Sequence, residues 1–247
     1  MTSVASLRLV VADRPAASRQ AARLLADELA GPRPVLGLAT GSSVELVYAE
    51  LATLVSADPA LRAGIGRAQG FALDEYVGLP AGDPHSYLAT LQRQMAIPAG
   101  LPLDRLHVPA AAIAADPGRY DKQISAAGGV AVQLLGIGGN GHIGFNEPGS
   151  PLDGGTRIIT LDERTRQDNA RFFASLAQVP TQAVTQGIGT ILRARRLVLL
   201  AFGQQKAKAL AAALAGPVTP QLPASALQRH PDVIVLADSD AASLLPV

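Results

Sequence analysis

The chain has no cysteine, which excludes disulfide bonds and thiolate metal sites and fits a reducing, cytoplasmic setting. No apolar run comes near the roughly 20 residues that cross a bilayer as a helix. The first residues lack a basic stretch followed by a long apolar core, so no secretory signal is expected. There is no excess of one charge either: 21 basic against 20 acidic residues leave a net +1. A broad field drawing in nucleic acid or an anionic membrane is thereby excluded, and any anion must be held locally. Aromatic residues are scarce at 4%, while apolar residues reach 48%, so the core must be built mainly from Ala, Leu and Val. No internal repeat, low-complexity tract or long linker interrupts the 247 residues, and residues 1–247 are read as a single domain.

What is present is an alternation of short apolar runs with helical patterns. Strands are predicted at Leu7–Val11, Val35–Ala39, Gln69–Leu73, Val130–Gly136, Arg157–Leu161, Leu197–Phe202 and Val233–Leu236. Helices are predicted over Ala16–Leu29, from Ser43 to about Leu54, and over Ser86–Met95, Pro117–Ala126, Glu163–Phe173, Thr185–Leu192 and Gln204–Leu214, with one more at the C-terminus. The strand runs are continuous rather than alternating, which implies burial on both faces and hence parallel pairing. The fold class is therefore α/β: a doubly wound, mostly parallel sheet flanked by helices, Rossmann-like. Residues 150–180 break the rhythm, with Gly149, Gly154 and Gly155 at the start. The segment reads as a lid over the site, or as an ordinary solvent-facing insertion.

The densest chemistry lies between Leu135 and Gly149. An apolar run opens into a glycine-rich turn that presents Asn140, His142, Asn146 and Glu147. Polar groups beyond the carboxyl end of a buried strand are where open α/β sheets place their chemistry. His142 with Glu147 suggests a carboxylate orienting an imidazole. Asp74 and Glu75 follow another apolar run, and one of them is a candidate base tuned by partial burial, against the plainer reading of a capping or ion-paired acid. The Thr40–Ser43 turn, with Gly41, Ser42 and Ser43, offers backbone N–H groups, hydroxyls and a helix start, which suit a phosphate. The competing reading there is N-capping by Ser42 or Ser43. The turn lacks the lysine of a P-loop and the spacing of a dinucleotide fingerprint, so nucleotide binding has little support. Lys206 falls in the first turn of a helix, where a cation is unfavourable unless an anion is near. With Arg171 it would complete a three-sided phosphate cradle. His107 and His230 stand in Pro-flanked loops and read as surface residues. No ligand pattern for a metal is present.

Together these segments resemble glucosamine-6-phosphate deaminase, also called glucosamine-6-phosphate isomerase, nearly end to end. The specific parts are Leu73-Asp74-Glu75-Tyr76-Val77-Gly78-Leu79 and Gly141-His142-Ile143-Gly144-Phe145-Asn146-Glu147-Pro148, supported by Val35–Gly41, Phe202–Lys206 and Pro223–Leu227. The resemblance implies a cofactor-free conversion of a phosphorylated amino sugar: glucosamine 6-phosphate and water give fructose 6-phosphate and ammonia. It gives Asp74 the proton transfer between carbons two and one. It gives His142 the opening of the pyranose ring, supported by Glu147 and Asn140, and gives Gly41, Ser42, Ser43, Arg171 and Lys206 the phosphate.

Some members carry Asp where this chain has Asn140. Asn can orient His142 but cannot stabilise its cation by charge, so ring opening is expected to survive with an altered pH dependence. Ser42 and Val44 replace the Gly and Pro of the commonest version of the phosphate turn. Ile159 stands where members activated by N-acetylglucosamine 6-phosphate carry Lys, so weak or absent activation is expected, although Arg157 is retained. Members range from monomers to hexamers, and a small homo-oligomer is compatible with this pattern. The competing functions are a 6-phosphogluconolactonase-like hydrolase of the same superfamily and a non-catalytic sugar-phosphate sensor.

Overall fold

The computed structural model describes residues 6–109, 116–170 and 173–245. Arg171 lies outside them. Ten strands occur among these residues: β1 (Ser6–Val11), β2 (Val35–Leu38), β3 (Gln69–Ala72), β4 (Asp74–Tyr76), β5 (Leu106–His107), β6 (Val132–Gly136), β7 (Arg157–Thr160), β8 (Gln182–Thr185), β9 (Arg196–Ala201) and β10 (Asp232–Ala237). The helices are α1 (Arg14–Leu29), α2 (Glu45–Ala57), α3 (Pro59–Ile65), α4 (Tyr87–Leu91), α5 (Ile97–Ala99), α6 (Gly118–Ala126), α7 (Glu163–Asn169), α8 (Ile188–Ile191), α9 (Ala207–Ala215) and α10 (Ser239–Ala242).

Seven strands pair in the order β1-β10-β9-β6-β2-β3-β5, every pair parallel. This is the sheet that the continuous apolar runs call for. In β9 and β10 every residue but the first is buried, as expected for strands covered on both faces. Small side chains let the helices approach: α1 packs on the core through Ala17, Ala21, Ala22, Leu25, Ala26 and Leu29. The low aromatic content thus becomes close helix–sheet packing.

The second sheet is absent from the sequence reading, which put the strand Arg157–Leu161 among the parallel ones; it pairs antiparallel instead. β4, β8 and β7 form a three-stranded antiparallel sheet in that order, with Asp74 opposite Thr185 and Arg157 on the far side of the same Thr185. The prediction of a helix over Thr185–Leu192 is corrected: β8 ends at Thr185 and the helix is Ile188–Ile191. β4 escaped notice because Asp-Glu-Tyr carries no apolar run, and hydrogen bonding rather than hydrophobicity keeps it buried. β5 has only two residues. α3 was also missed, although Asp58 caps it and Pro59 opens it, a start signal of the usual kind. α7 ends at Asn169 instead of reaching Phe173. The helix predicted over Ser86–Met95 runs as α4, a π-turn at Gln92–Ala96 and then α5, closed by Gly100 at φ 79°.

Neither His107 nor His230 is the surface residue expected. His230 is 3% exposed; its ring lies 2.7 Å from the Ala194 carbonyl at Nε2 and receives the Asp232 N–H at Nδ1. A flanking proline says nothing about depth when the chain passes beneath a sheet. His107 lies in β5, half-buried with its ring 4.7 Å from that of Phe71, and burial holds its pKa below the ordinary histidine value.

Tyr48 of α2 ties a helix to the end of β2. Its buried hydroxyl donates to the Ala39 carbonyl at 2.6 Å and accepts the Ala39 N–H at 3.1 Å. Tyr48→Phe leaves both backbone groups buried and unpaired. The expected loss is about 2 kcal/mol of unfolding free energy, read from urea melts; a change under about 0.5 kcal/mol would deny the bond this role.

Candidate active site

The strand order reverses between β2 and β6. From β2 the chain moves outward to β3 and β5, and from β6 it moves outward on the other side to β9 and β10. Two strands whose connections leave in opposite directions part at their carboxyl ends, and the crevice between them is the usual ligand site of such sheets. A cavity of 830 Å³ occupies this position, lined by Thr40–Ser43 after β2, Asp74 after β3, Gly136–Gly139 and His142 after β6, and Lys206 after β9. A smaller cavity of 270 Å³ lies between α6 and α8. Its carboxylate, Asp121, is already engaged by Thr156, Thr190 and Arg193, so the larger one is the candidate site.

One end of the cavity is shaped for an anion. Gly41 has φ 106°, a conformation that only glycine takes readily, and it turns the chain into α2. The N-cap of α2 is Val44, and no side chain caps the helix. The N-capping alternative for Ser42 and Ser43 therefore fails, and their hydroxyls are not spent on the helix. Arg14 donates to the Ser42 carbonyl and lies 5.5 Å over the Phe202 ring, bracing the two turns that flank this end. Lys206 closes a 3-10 turn, Gln204–Lys206, that leads into α9. The turn begins at Gly203, whose N–H is held by both oxygens of Asp238 at 3.0 and 2.9 Å.

At the other end two neighbouring carboxylates take different tasks. Glu75 accepts three backbone N–H groups, from Tyr76 at 2.8 Å, Tyr87 at 2.9 Å and Leu88 at 2.8 Å, and so stitches β4 to the start of α4. Asp74 lines the cavity instead, at 7% exposure. Burial, then the charge of Glu75, pushes its carboxyl up to about 8. That range suits a general base working near neutral pH; Glu75 is raised by burial as well, but its oxygens are occupied by the three backbone N–H groups, which leaves Asp74 as the candidate.

His142 enters the same cavity over a glycine. A Cβ on Gly138 would fall 2.4 Å from the His142 ring, so the backbone there packs flat against the imidazole. Nδ1 of His142 lies 3.4 Å from Glu147 Oε1, an ion-pair separation without hydrogen-bond geometry. Asn140 does not reach the ring, contrary to the expectation that it orients the imidazole directly. Its amide donates to Glu147 Oε2 at 2.7 Å, and its oxygen accepts the His142 backbone N–H at 3.2 Å. A two-residue spacing brings Asn140 close to the backbone of His142 but not to its side chain. Burial opposes the charge on Glu147, yet contacts from His142, Thr165 and Asn140 outweigh it and bring its carboxyl down to about 2.

Thr165 and the aromatic cluster were not singled out from the sequence, and Asn146 and Arg157 were named there without the partners they have here. Thr165 of α7 donates to Glu147 Oε1 at 2.7 Å. Arg157 of β7 donates to Asn146 at 2.7 Å and to Ser150 at 3.0 Å, and Asn146 itself donates to the Ile143 and Gln186 carbonyls, locking the loop that carries Glu147. Tyr76, Tyr87, Phe145 and Phe173 form an aromatic cluster with ring centroids 4.9 to 5.9 Å apart, and all four border the cavity. Only the aromatic cluster left a signal that could have been used: so few rings spaced along one chain are conspicuous when they converge.

Comparison with known proteins identifies the family and the fold. The sequence model of the glucosamine-6-phosphate isomerases/6-phosphogluconolactonase family matches residues 13–235. The glucosamine-6-phosphate deaminase of Bifidobacterium longum is 48% identical over 250 residues, covering 96% of this chain and 92% of that protein. The glucosamine-6-phosphate deaminase of Pseudarthrobacter chlorophenolicus is 50% identical over 236 residues, covering 92% and 90%. Among solved structures, a monomeric glucosamine-6-phosphate deaminase superposes with a TM-score of 0.89 at 39% identity, covering 97% of this chain and 99% of that one. The 6-phosphogluconolactonase of Trypanosoma brucei superposes with a TM-score of 0.74 at 21% identity over 98% and 99%, a likeness of fold.

A raised carboxyl pKa carries a stability cost. Between about pH 4, where an unfolded aspartate titrates, and about 8, where Asp74 does, the folded state binds the extra proton. Stability must therefore fall as pH rises through that window. Asp74→Asn removes the cost. The variant should be more stable than wild type near pH 9 by on the order of 5 kcal/mol and nearly equal to it near pH 4. Urea melts at both pH values test this, and an equal difference at both would contradict it.

Proposed function

We propose that this chain, which belongs to the glucosamine-6-phosphate isomerase/6-phosphogluconolactonase family, is a glucosamine-6-phosphate deaminase of amino sugar catabolism. The observation that carries the reading is a single cavity that opens onto Asp74, His142, the Gly41–Ser43 turn and Lys206 together. Charged phosphate and reacting carbons lie at opposite ends of a six-carbon sugar, and the anion-shaped end of the cavity is likewise separate from its carboxylate and imidazole.

The reaction follows from that placement. Backbone N–H groups at Gly41–Ser43, the α2 N-terminus and Lys206 hold the phosphate, with Arg171 as a further arm. His142 moves a proton from the anomeric hydroxyl towards the ring oxygen, opening the pyranose to the aldehyde. Glu147, itself held by Asn140, steadies the imidazole while it is charged. Asp74, as the carboxylate, takes the proton from carbon two while the aldehyde oxygen is protonated, giving the 2-amino enol, and returns it to carbon one as the amino group loses a proton to become the imine. The resulting imine at carbon two adds water and expels ammonia, leaving fructose 6-phosphate. Every step is a proton transfer or an addition of water, so no electron acceptor is called for. We further place the enzyme in the cytoplasm, as a monomer or small assembly.

Ammonia release from glucosamine 6-phosphate tests the whole reading. Wild type should release it, with a rate that climbs as Asp74 ionises through the neutral and mildly alkaline range. Asp74→Asn should lose about a hundredfold to ten-thousandfold in turnover. His142→Gln should fall less on the 5-deoxy analogue, which cannot close the pyranose ring. Hydrolysis of 6-phosphogluconolactone without ammonia release would select the lactonase, and binding without turnover the sensor. Near-normal turnover by Asp74→Asn would remove it from the role of base.

Activation by N-acetylglucosamine 6-phosphate should be weak or absent. Ile159 offers no charge, and the Arg157 guanidinium is engaged by Asn146 and Ser150. Adding the ligand to purified enzyme should change the apparent substrate affinity less than about twofold, under half a kcal/mol; a tenfold shift would contradict this.

A further inference from the structure

We propose that Thr165 is a positioning residue for ring opening, through which the seating of α7 governs how Glu147 and His142 share a proton. The inference rests on the roles given above to that pair and adds a group from a different segment of the chain.

The geometry is specific. Glu147 has two oxygens. Oε2 is taken by the Asn140 amide at 2.7 Å, from the same turn of chain. Oε1 receives the Thr165 hydroxyl at 2.7 Å and faces His142 Nδ1 at 3.4 Å. Thr165 and His142 therefore share one oxygen, and Thr165 holds the shorter contact. Asn140 travels with Glu147 whatever else moves. Thr165 belongs to α7 and also lines the cavity, so its bond exists only when α7 is seated.

A donor on an ionised oxygen stabilises the charge and fixes the rotation of the carboxylate. With Thr165 in place, part of the Oε1 charge is spent on the hydroxyl, and Glu147 supports a proton on His142 less strongly. Once the bond is lost, His142 becomes the nearest donor to that oxygen and the pair retains its proton. A seated α7 thus favours release of the proton to the ring oxygen, the event ring opening needs with substrate enclosed. The other charges around the pair do not duplicate this. Arg166 of α7 turns to the Leu176 and Val179 carbonyls, and Asp74 borders the same cavity from the β3–β4 side.

Thr165→Val keeps shape and removes the donor, and Thr165→Ser keeps the donor. For Thr165→Val we expect turnover on glucosamine 6-phosphate to fall about tenfold, with KM changed less than about twofold. The limb of the pH–rate profile set by the Glu147–His142 pair should move about half a unit to higher pH. The 5-deoxy analogue should be turned over at close to the wild-type rate, and Thr165→Ser should restore both rate and profile. NMR of histidine-labelled protein gives a readout that needs no turnover: at fixed pH the His142 ring signals should move towards the protonated form in Thr165→Val and back in Thr165→Ser. Unmoved ring signals, an unshifted profile, or equal losses in both variants or on both substrates would overturn the inference. A wild type that releases no ammonia while its ring signals respond as expected would overturn the functional reading instead.

Discussion

Leu73 links the two sheets, standing between β3 and β4 and hydrogen-bonded to both sides, and the site depends on that link. Its N–H bonds to the Leu38 carbonyl at 2.9 Å, continuing the ladder of the seven-stranded sheet, while its carbonyl accepts the Gln186 N–H at 2.7 Å from the end of the antiparallel one. The next residue is Asp74. A carboxylate placed at such a seam has backbone on both sides and little water, which is what raises its pKa. Gln186 reinforces the seam by donating its side-chain amide to the Ala72 carbonyl at 2.9 Å, and Tyr120 donates to the same carbonyl at 2.9 Å. The parallel sheet alone would leave Asp74 at an open strand end. The small sheet encloses it.

The same construction explains which parts of the molecule were legible in the sequence. Parallel strands buried on both faces show as unbroken apolar runs, so β2, β3, β6, β9 and β10 could be placed within a residue or two, and with them the turns that carry Gly41, His142 and Lys206. In the small sheet only β7 shows such a run, read as Arg157–Leu161, while β4 and β8 show none. The strands of that sheet are three or four residues long, and β4 is buried because backbone N–H groups surround Glu75, an arrangement only the folded chain reveals. Asp74 and Glu75 are indistinguishable in sequence. One lies in the hydrogen bonds of α4 and the other in the cavity, and three-dimensional placement alone separates acid from scaffold.

Side chains that act on side chains were the hardest to foresee. Thr165 lies 18 positions beyond Glu147 in sequence, in a helix that reads as surface, and a threonine there carries no pattern. Asn140 was legible as a site residue, but its partner was not: two residues from His142, it meets the backbone of that residue and the carboxylate of Glu147. Local spacing limits where a backbone can go far more tightly than where a side chain points.

The aromatic cluster beside the cavity has a use of its own. The chain contains four tyrosines and no tryptophan, so its ultraviolet emission is tyrosine emission. Tyr48 and Tyr120 are sealed in the main core at 0% exposure, giving a steady background. Tyr76 and Tyr87 border the cavity with ring centroids 4.9 Å apart. Half of the fluorophores therefore border the cavity, and any change of the tyrosine emission with its contents must come from that pair.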